Sequence, residues 1–340
     1  MKNTNKINKA KLKDLYLAAT EFKEAKPWEW MNEDDLICIE NPEDKSIGFC
    51  SIMGSSNVHF ALAVYLGHEG IAALNYFKEK NDRIPDHQAL FYQDCLMCSF
   101  ENRDLLEKSE LSEIKDLGMS FRGKNAWPHF RRYEPGFYPW FINENECEFL
   151  THALRQTLKM ALNIKDGRLR IGTQRGRTAI SKCIDINGES IWEIEDYEMH
   201  IPKISYQYAE MEDELLMHRL KKLPKSNIVF HAETCYLPLT VQEKKGERPY
   251  FPRAFIIADG NSGQIIEHEM YEDPRDDGKN VLDILVRLCL ELDLPMEIEV
   301  KSEKMVAILT DFCEKLGIKL TIVDTLPTIE DLLEGMARQL

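Results

Sequence analysis

The chain has 340 residues, 44% of them hydrophobic and 30% charged. That is globular composition with apolar material for two cores, and it excludes a disordered or fibrous protein. The net charge of −15 argues against nonspecific coating of nucleic acid or anionic lipid.

Along the chain, Leu12, Leu15, Tyr16, Ala19 and Phe22 recur at helical spacing, and Pro27 ends that helix. Residues 35–40 read as a short strand. Residues 47–54 and 59–67 read as a strand pair around Gly54-Ser55-Ser56-Asn57. A helix is expected over 71–81 and a buried strand over 89–99. Residues 101–118 are charged, with helical stretches, and are expected at the surface. Residues 121–141, FRGKNAWPHFRRYEPGFYPWF, combine aromatics with three prolines and four Lys/Arg, which predicts an ordered, extended loop. An amphipathic helix over 143–164 opens on the capping-box pair Asn143 and Glu146. Residues 168–198 read as strands turned by Asn187-Gly188. A short helix is expected over 212–223.

From 228 onward the order is a long strand (228–241), a hairpin (248–271) turned by residues 259–263, a helix (280–294), a strand (295–300), a helix (302–317) closed by Gly317, a strand (318–323) and a last helix (328–340). No repeat or low-complexity segment appears. No window has the ~18–20 apolar residues of a membrane span, and the basic N-terminal stretch has no apolar run of signal-peptide length. The expectation is a cytoplasmic protein not bound to membranes, with buried, reduced cysteines among the nine present.

Three antiparallel-capable strands followed by helix–strand–helix–strand–helix is the ribonuclease H-like order, with the strands at 295–300 and 318–323 expected parallel to the first. Residues 255–327 are similar to the catalytic core of transposases and retroviral-type integrases, through IADGNSGQII and LPMEIEVKSEKMVAILTDFCEKLGIKLTIVDTLP. The resemblance implies a divalent-metal site. Its first carboxylate falls nearest Glu233, and its second falls at or near Lys301, where a cation cannot ligate Mg²⁺. A third would come from Glu330, Asp331 or Glu334. The carboxylate set is therefore incomplete and the domain reads as degenerate. Nearly the whole chain, 12–340, also resembles a bacterial family built from two adjacent domains of unknown function. PWEWM, VYLGHEGI, the 121–141 segment, RPYFP and LGIKLTIVDTLPTIEDLLEGM carry that resemblance.

Two candidate sites follow. Glu233, Asp259 and Glu334 are candidates for a remnant Mg²⁺ or Mn²⁺ site; against this, Glu233 could pair with Arg248 or Arg253, and Asp259 could only stabilise its turn. Arg122, Lys124, Trp127, Arg131, Arg132 and Tyr133 suit single-stranded nucleic acid through stacking and phosphate contact, but the three prolines favour a rigid plug packed between the two domains, with Arg stacked on Trp. Residues 121–182 carry a local net charge of +7, while 260–340 carry −10. Cys95-Leu-Met-Cys98 has CxxC spacing without a second metal-ligand pair. The reading is an α+β domain over 1–205 and a degenerate ribonuclease H-like domain over 206–340. The function expected is non-catalytic binding or adaptation, with nucleic acid or protein as partner, no cofactor, and an inter-domain groove rimmed by 121–133 as the ligand surface. A metal-dependent nuclease or phosphoryl-transfer enzyme is the first alternative, and a purely protein-binding module using the acidic C-terminal part is the second.

Overall fold

The computed structural model describes residues 7–80, 90–172, 176–186, 189–202, 204–206 and 208–338. The chain forms two compact units, Met1–Lys203 and Ile204–Leu340.

In the first unit, α1 (Lys9–Ala25) starts at Asn8, whose side chain accepts the Ala10 N–H. It ends where Lys26 turns left-handed at φ 51° ahead of Pro27. The strands are β1 (Ile37–Glu40), β2 (Ile47–Met53), β3 (Ala61–Leu66), β4 (Cys95–Glu101), β5 (Trp127–Tyr133), β6 (Arg177–Ile186) and β7 (Glu189–Glu198). They form one mixed sheet in the order β5-β4-β3-β2-β1-β6-β7, antiparallel throughout except for the parallel β1–β6 pair. The turn between β2 and β3 requires glycine: Gly54 sits at φ 135°, and a Cβ there would meet Phe60 at 2.7 Å.

Helix α2 (Gly67–Lys80) lies between β3 and β4, and α3 (Lys108–Asp116) precedes β5. The long helix α4 (Glu144–Lys165) carries the expected capping box, with Asn143 and Glu146 exchanging backbone hydrogen bonds. Its inner stripe, Cys147, Leu150, Leu154 and Ala161, joins Leu15, Ala19 and Phe22 of α1 in the core on one face of the sheet. Cys38, Phe49, Ala63 and Met97 pack with Ile71 of α2 in the core on the other.

Two sequence expectations change here, and a third falls outside the described residues. Residues 127–133 are a strand and not loop, paired residue for residue with β4 from Cys95↔Tyr133 to Glu101↔Trp127. Pro128 is tolerated because β5 is an edge strand. Residues 103–116 are not wholly surface, since Glu110 and Ile114 are buried. The Asn187-Gly188 turn lies outside the described residues, though its flanking strands pair as far as Ile186↔Glu189.

In the second unit, α5 (Glu214–Leu220) is followed by β8 (Val229–Tyr236), β9 (Arg253–Asp259), β10 (Ile265–Tyr271), α6 (Asp277–Leu292), β11 (Glu297–Val300), α7 (Glu303–Leu316), β12 (Lys319–Ile322) and α8 (Pro327–Ala337). The expected long strand over 228–241 stops at Tyr236, just before Pro238. The sheet order is β10-β9-β8-β11-β12. β8, β9 and β10 are antiparallel neighbours, while β11 runs parallel to both β8 and β12. Leucine-rich faces of α5, α6 and α7 cover Phe230, Ala232, Phe255, Ile257 and Ile298 on one face. Ile329 of α8, with Leu326 before it, covers Ala254 and Ile256 on the other. Gly317 closes α7 at φ 64°.

Candidate functional site

Parallel strands β8 and β11 bring their carboxyl ends side by side, the place where open α/β sheets usually carry a site. Glu233 lies near that end of β8, and Lys301 and Ser302 follow β11 directly. The sequence then opens α7 with Ser302 as N-cap, its hydroxyl accepting the Met305 N–H at 3.2 Å.

Glu233 is 8% exposed. Its carboxylate accepts the Lys301 N–H at 2.9 Å, the Ser302 N–H at 2.9 Å, the Ser302 hydroxyl at 2.6 Å and the Thr234 N–H at 3.1 Å. It thus sits on the helix N-terminus, where a negative charge is stabilised by unpaired amides and the helix dipole. Burial pushes its carboxyl above the ordinary range, and the four donors only partly offset that rise.

The cation at the second carboxylate position is engaged too: the Lys301 ammonium pairs with Glu330 on α8. Asp259 stands across from Phe230 while Glu233 stands across from Ile256, so by strand alternation Asp259 belongs to the other face of the sheet. Its oxygens accept the Asn261 N–H and the Ser262 hydroxyl of its own turn, which lowers its pKa. Glu334 is exposed on α8 and lies 3.4 Å from Arg338, one turn on. The three candidates are not brought together. Among the described residues, no group of three His, Cys, Asp or Glu side chains is placed to hold a metal ion. A two-metal centre needs clustered carboxylates with free lone pairs, and the residues present do not fit one.

Arg253 does not pair with Glu233. It forms a buried fork with Asp277 at the start of α6, Nη2 to Oδ2 at 2.7 Å, and donates to the Thr234 hydroxyl at 2.8 Å. The Tyr271 hydroxyl and the Lys304 ammonium each reach Asp277 at 2.6 Å. Arg253 also lies over the Tyr236 ring at 4.8 Å. Burial pushes the Asp277 carboxyl up, but Arg253 and Lys304 outweigh it and hold the group below its ordinary range. Sequence reasoning missed this network, because its members are spread over β8, β9, β10, α6 and α7 and no local spacing joins them. Of the residues around Glu233, only Ser302, a serine before an amphipathic run, offered a readable cue.

In the first unit, the basic–aromatic segment divides. Arg131 is 9% exposed and grips Glu110 bidentately at 2.7 and 3.1 Å. Its guanidinium lies 4.6 Å from the Phe141 ring. Burial raises the Glu110 carboxyl, and Arg131 brings it below the ordinary range. Arg132 reaches Asp94 at 2.6 Å and Glu146 at 3.4 Å. Tyr133 is half-buried against the core and burial pushes its hydroxyl up to about 12. Trp127 packs edge-on to Phe121 and beneath Arg103. Arg122 and Lys124 remain exposed. Beside the Arg131–Glu110 pair is a pocket of about 130 Å³ lined by Tyr16, Glu113, Phe130 and Phe141.

Cys95 and Cys98 belong to cores on opposite faces of the sheet, so the CxxC pair cannot converge on one metal. Burial pushes the Cys95 thiol up to about 12, and all nine cysteines are free thiols.

Residues 13–181 match a family model described as Domain of unknown function (DUF7309), and residues 216–337 match one described as Domain of unknown function (DUF6930). The chain carries two adjoining domains of unknown function. No curated protein matches. A chain in the cryoEM structure of the simian T-cell lymphotropic virus intasome in complex with PP2A regulatory subunit B56 gamma is similar at 17% identity and a TM-score of 0.24. That match covers 39% of this chain and 42% of that one. Among the described residues, no helix is long and apolar enough to cross a membrane.

Proposed function

We propose that this is a non-catalytic binding or adaptor protein, whose second domain (206–340) is ribonuclease H-like in topology without the metal chemistry of that fold. One observation carries the reading. At the carboxyl ends of β8 and β11, where the fold would gather metal-binding carboxylates, Glu233 spends its lone pairs on the N-terminus of α7 and Lys301 spends its charge on Glu330. A carboxylate that holds a helix end, next to a neutralised cation, is a structural lock and not an open ligand set. The strand order β10-β9-β8-β11-β12 supports the topology, and nine free thiols suit a reducing compartment such as the cytoplasm.

The test is an Mn²⁺-supplemented cleavage assay on labelled single-stranded and duplex DNA and RNA, with wild type and Glu233→Gln side by side. No cleavage by either is expected. Reproducible cleavage by the wild type that disappears in Glu233→Gln would establish the metal-dependent nuclease instead.

A second reading keeps a nucleic-acid contact on the first domain. The exposed cations Arg122 and Lys124 lie just before the half-buried Trp127, a combination that suits phosphate contact beside a stacking platform.

A further inference from the structure

We propose that the free edge of β7 is a docking site for a basic segment of a partner protein, added to the sheet as an extended strand. This names the partner class for the adaptor reading above and rests on it.

Sheet edges invite unwanted pairing, and folded proteins blunt them. Three of the four edges here are blunted. β5 carries Pro128, and its outer side is bridged at Arg132 by Trp140. β10 is bulged between Ile265 and Glu267, and the Glu267 carboxylate accepts the His268 N–H. β12 is four residues long. β7 differs from all of them. It is ten residues long, pairs with β6 in unbroken register from Arg177↔Glu198 to Ile186↔Glu189, and contains no proline. Among the described residues, no strand lies on its outer side.

Charge sets the occupant. Glu189, Glu193, Glu195, Asp196 and Glu198 all lie on β7. Lys182 and Arg177 of β6 pair with Glu195 and Asp196. Glu189 and Glu193 make no ion pair among the described residues. Self-pairing of two β7 edges would set like charges against each other, which is destabilising. A strand bearing Lys or Arg instead gains opposite-charge cross-strand pairs as well as the main-chain ladder. Ile191 is 40% exposed on the same strand face as Glu189, Glu193 and Glu195. Residues along one strand face recur every two positions. The partner segment should therefore read basic–x–apolar–x–basic–x–basic, its apolar residue beside Ile191 and its cations beside the glutamates.

The test uses full-length protein and a fluorescein-labelled ten-residue peptide whose alternate positions read Lys, Val, Lys, Lys with Thr between them, followed by anisotropy at physiological salt. A second peptide of the same sequence is N-methylated at four consecutive central amides, which removes ladder donors while keeping every charge. A Glu189→Lys/Glu193→Lys protein, checked for an unchanged far-UV circular dichroism spectrum, serves as the site variant. The plain peptide is expected to bind and to slow amide hydrogen exchange within 189–198. Binding should fall at least tenfold for the methylated peptide, and at least tenfold for the variant. Absence of binding by the plain peptide, equal binding of the methylated one (charge attraction alone), or equal binding by the variant would each overturn the assignment. Its failure is separable from that of the adaptor reading. Loss of peptide binding without nucleic-acid cleavage removes the β7 site alone, whereas Glu233-dependent cleavage removes the adaptor reading.

Discussion

The Ser302 hydroxyl donates to the Glu233 carboxylate at 2.6 Å while accepting the Met305 N–H at 3.2 Å. One side chain thereby ties the middle of the second sheet to the first turn of α7. The carboxylate is anchored by the segment that leads into α7, through the Lys301 and Ser302 amides and the Ser302 hydroxyl.

Replacing Ser302 with alanine removes both bonds and should cost about 1–3 kcal/mol. Ser302→Thr keeps a hydroxyl in place and should cost less than half as much. Urea denaturation of the two variants beside wild type checks this; an equal loss for both would mean the hydroxyl is not what matters.

The Arg131–Glu110 pair is buried, so Arg131→Ala leaves a carboxylate uncompensated and should cost about 3–5 kcal/mol. The double variant Arg131→Met/Glu110→Leu removes both charges and should recover most of that stability. A thermal melt separates this packing role from a binding role, in which the double variant would be stable and the single variant equally so.

Acidification should act through Asp277. Its folded pKa lies below the ordinary carboxylate value, so its contribution is complete above that value and is lost as pH falls through the folded one. Asp277→Asn should therefore be much less stable than wild type at about pH 7, with the gap narrowing toward about pH 3. Glu233 works in the opposite sense. Its folded pKa is raised, so what it contributes is present at low pH and declines as pH rises through that folded value. Urea midpoints across the range provide the measurement; a gap that widens in acid would contradict the assignment to Asp277.

If the first domain touches nucleic acid, the exposed cations carry the interaction. Arg122→Ala/Lys124→Ala should then flatten the plot of log affinity against log salt by about 1.4, because each single-strand phosphate left without its cation takes ~0.7 off the slope. The melting temperature should not change. An unchanged slope would leave Arg122 and Lys124 as solvated surface.

Local chemistry made much of the architecture legible. Asn143 and Glu146 announced α4, Gly317 closed α7, and the alternation of short apolar runs with amphipathic helices after residue 228 set the element order of the second unit. These features are written in contiguous sequence, because capping, helical periodicity and left-handed glycine turns depend on residues within a few positions of each other. β5 escaped notice because Pro128 and the neighbouring prolines read as loop, and only its place at a sheet edge makes Pro128 harmless. The fates of individual charges were likewise decided by tertiary packing. Arg131 and Arg122 look alike in sequence, yet one lies across from Glu110 on α3 and the other faces solvent. Arg253 was a natural partner for Glu233 until the fold brought Asp277 to it from 24 positions away. Sequence by itself determined most of the helices and strands, through capping, periodicity and apolar runs, and where the charge resides. Which carboxylate meets which cation, and whether Glu233 is open or locked, depends on long-range pairing of strands and helix ends that no local pattern encodes.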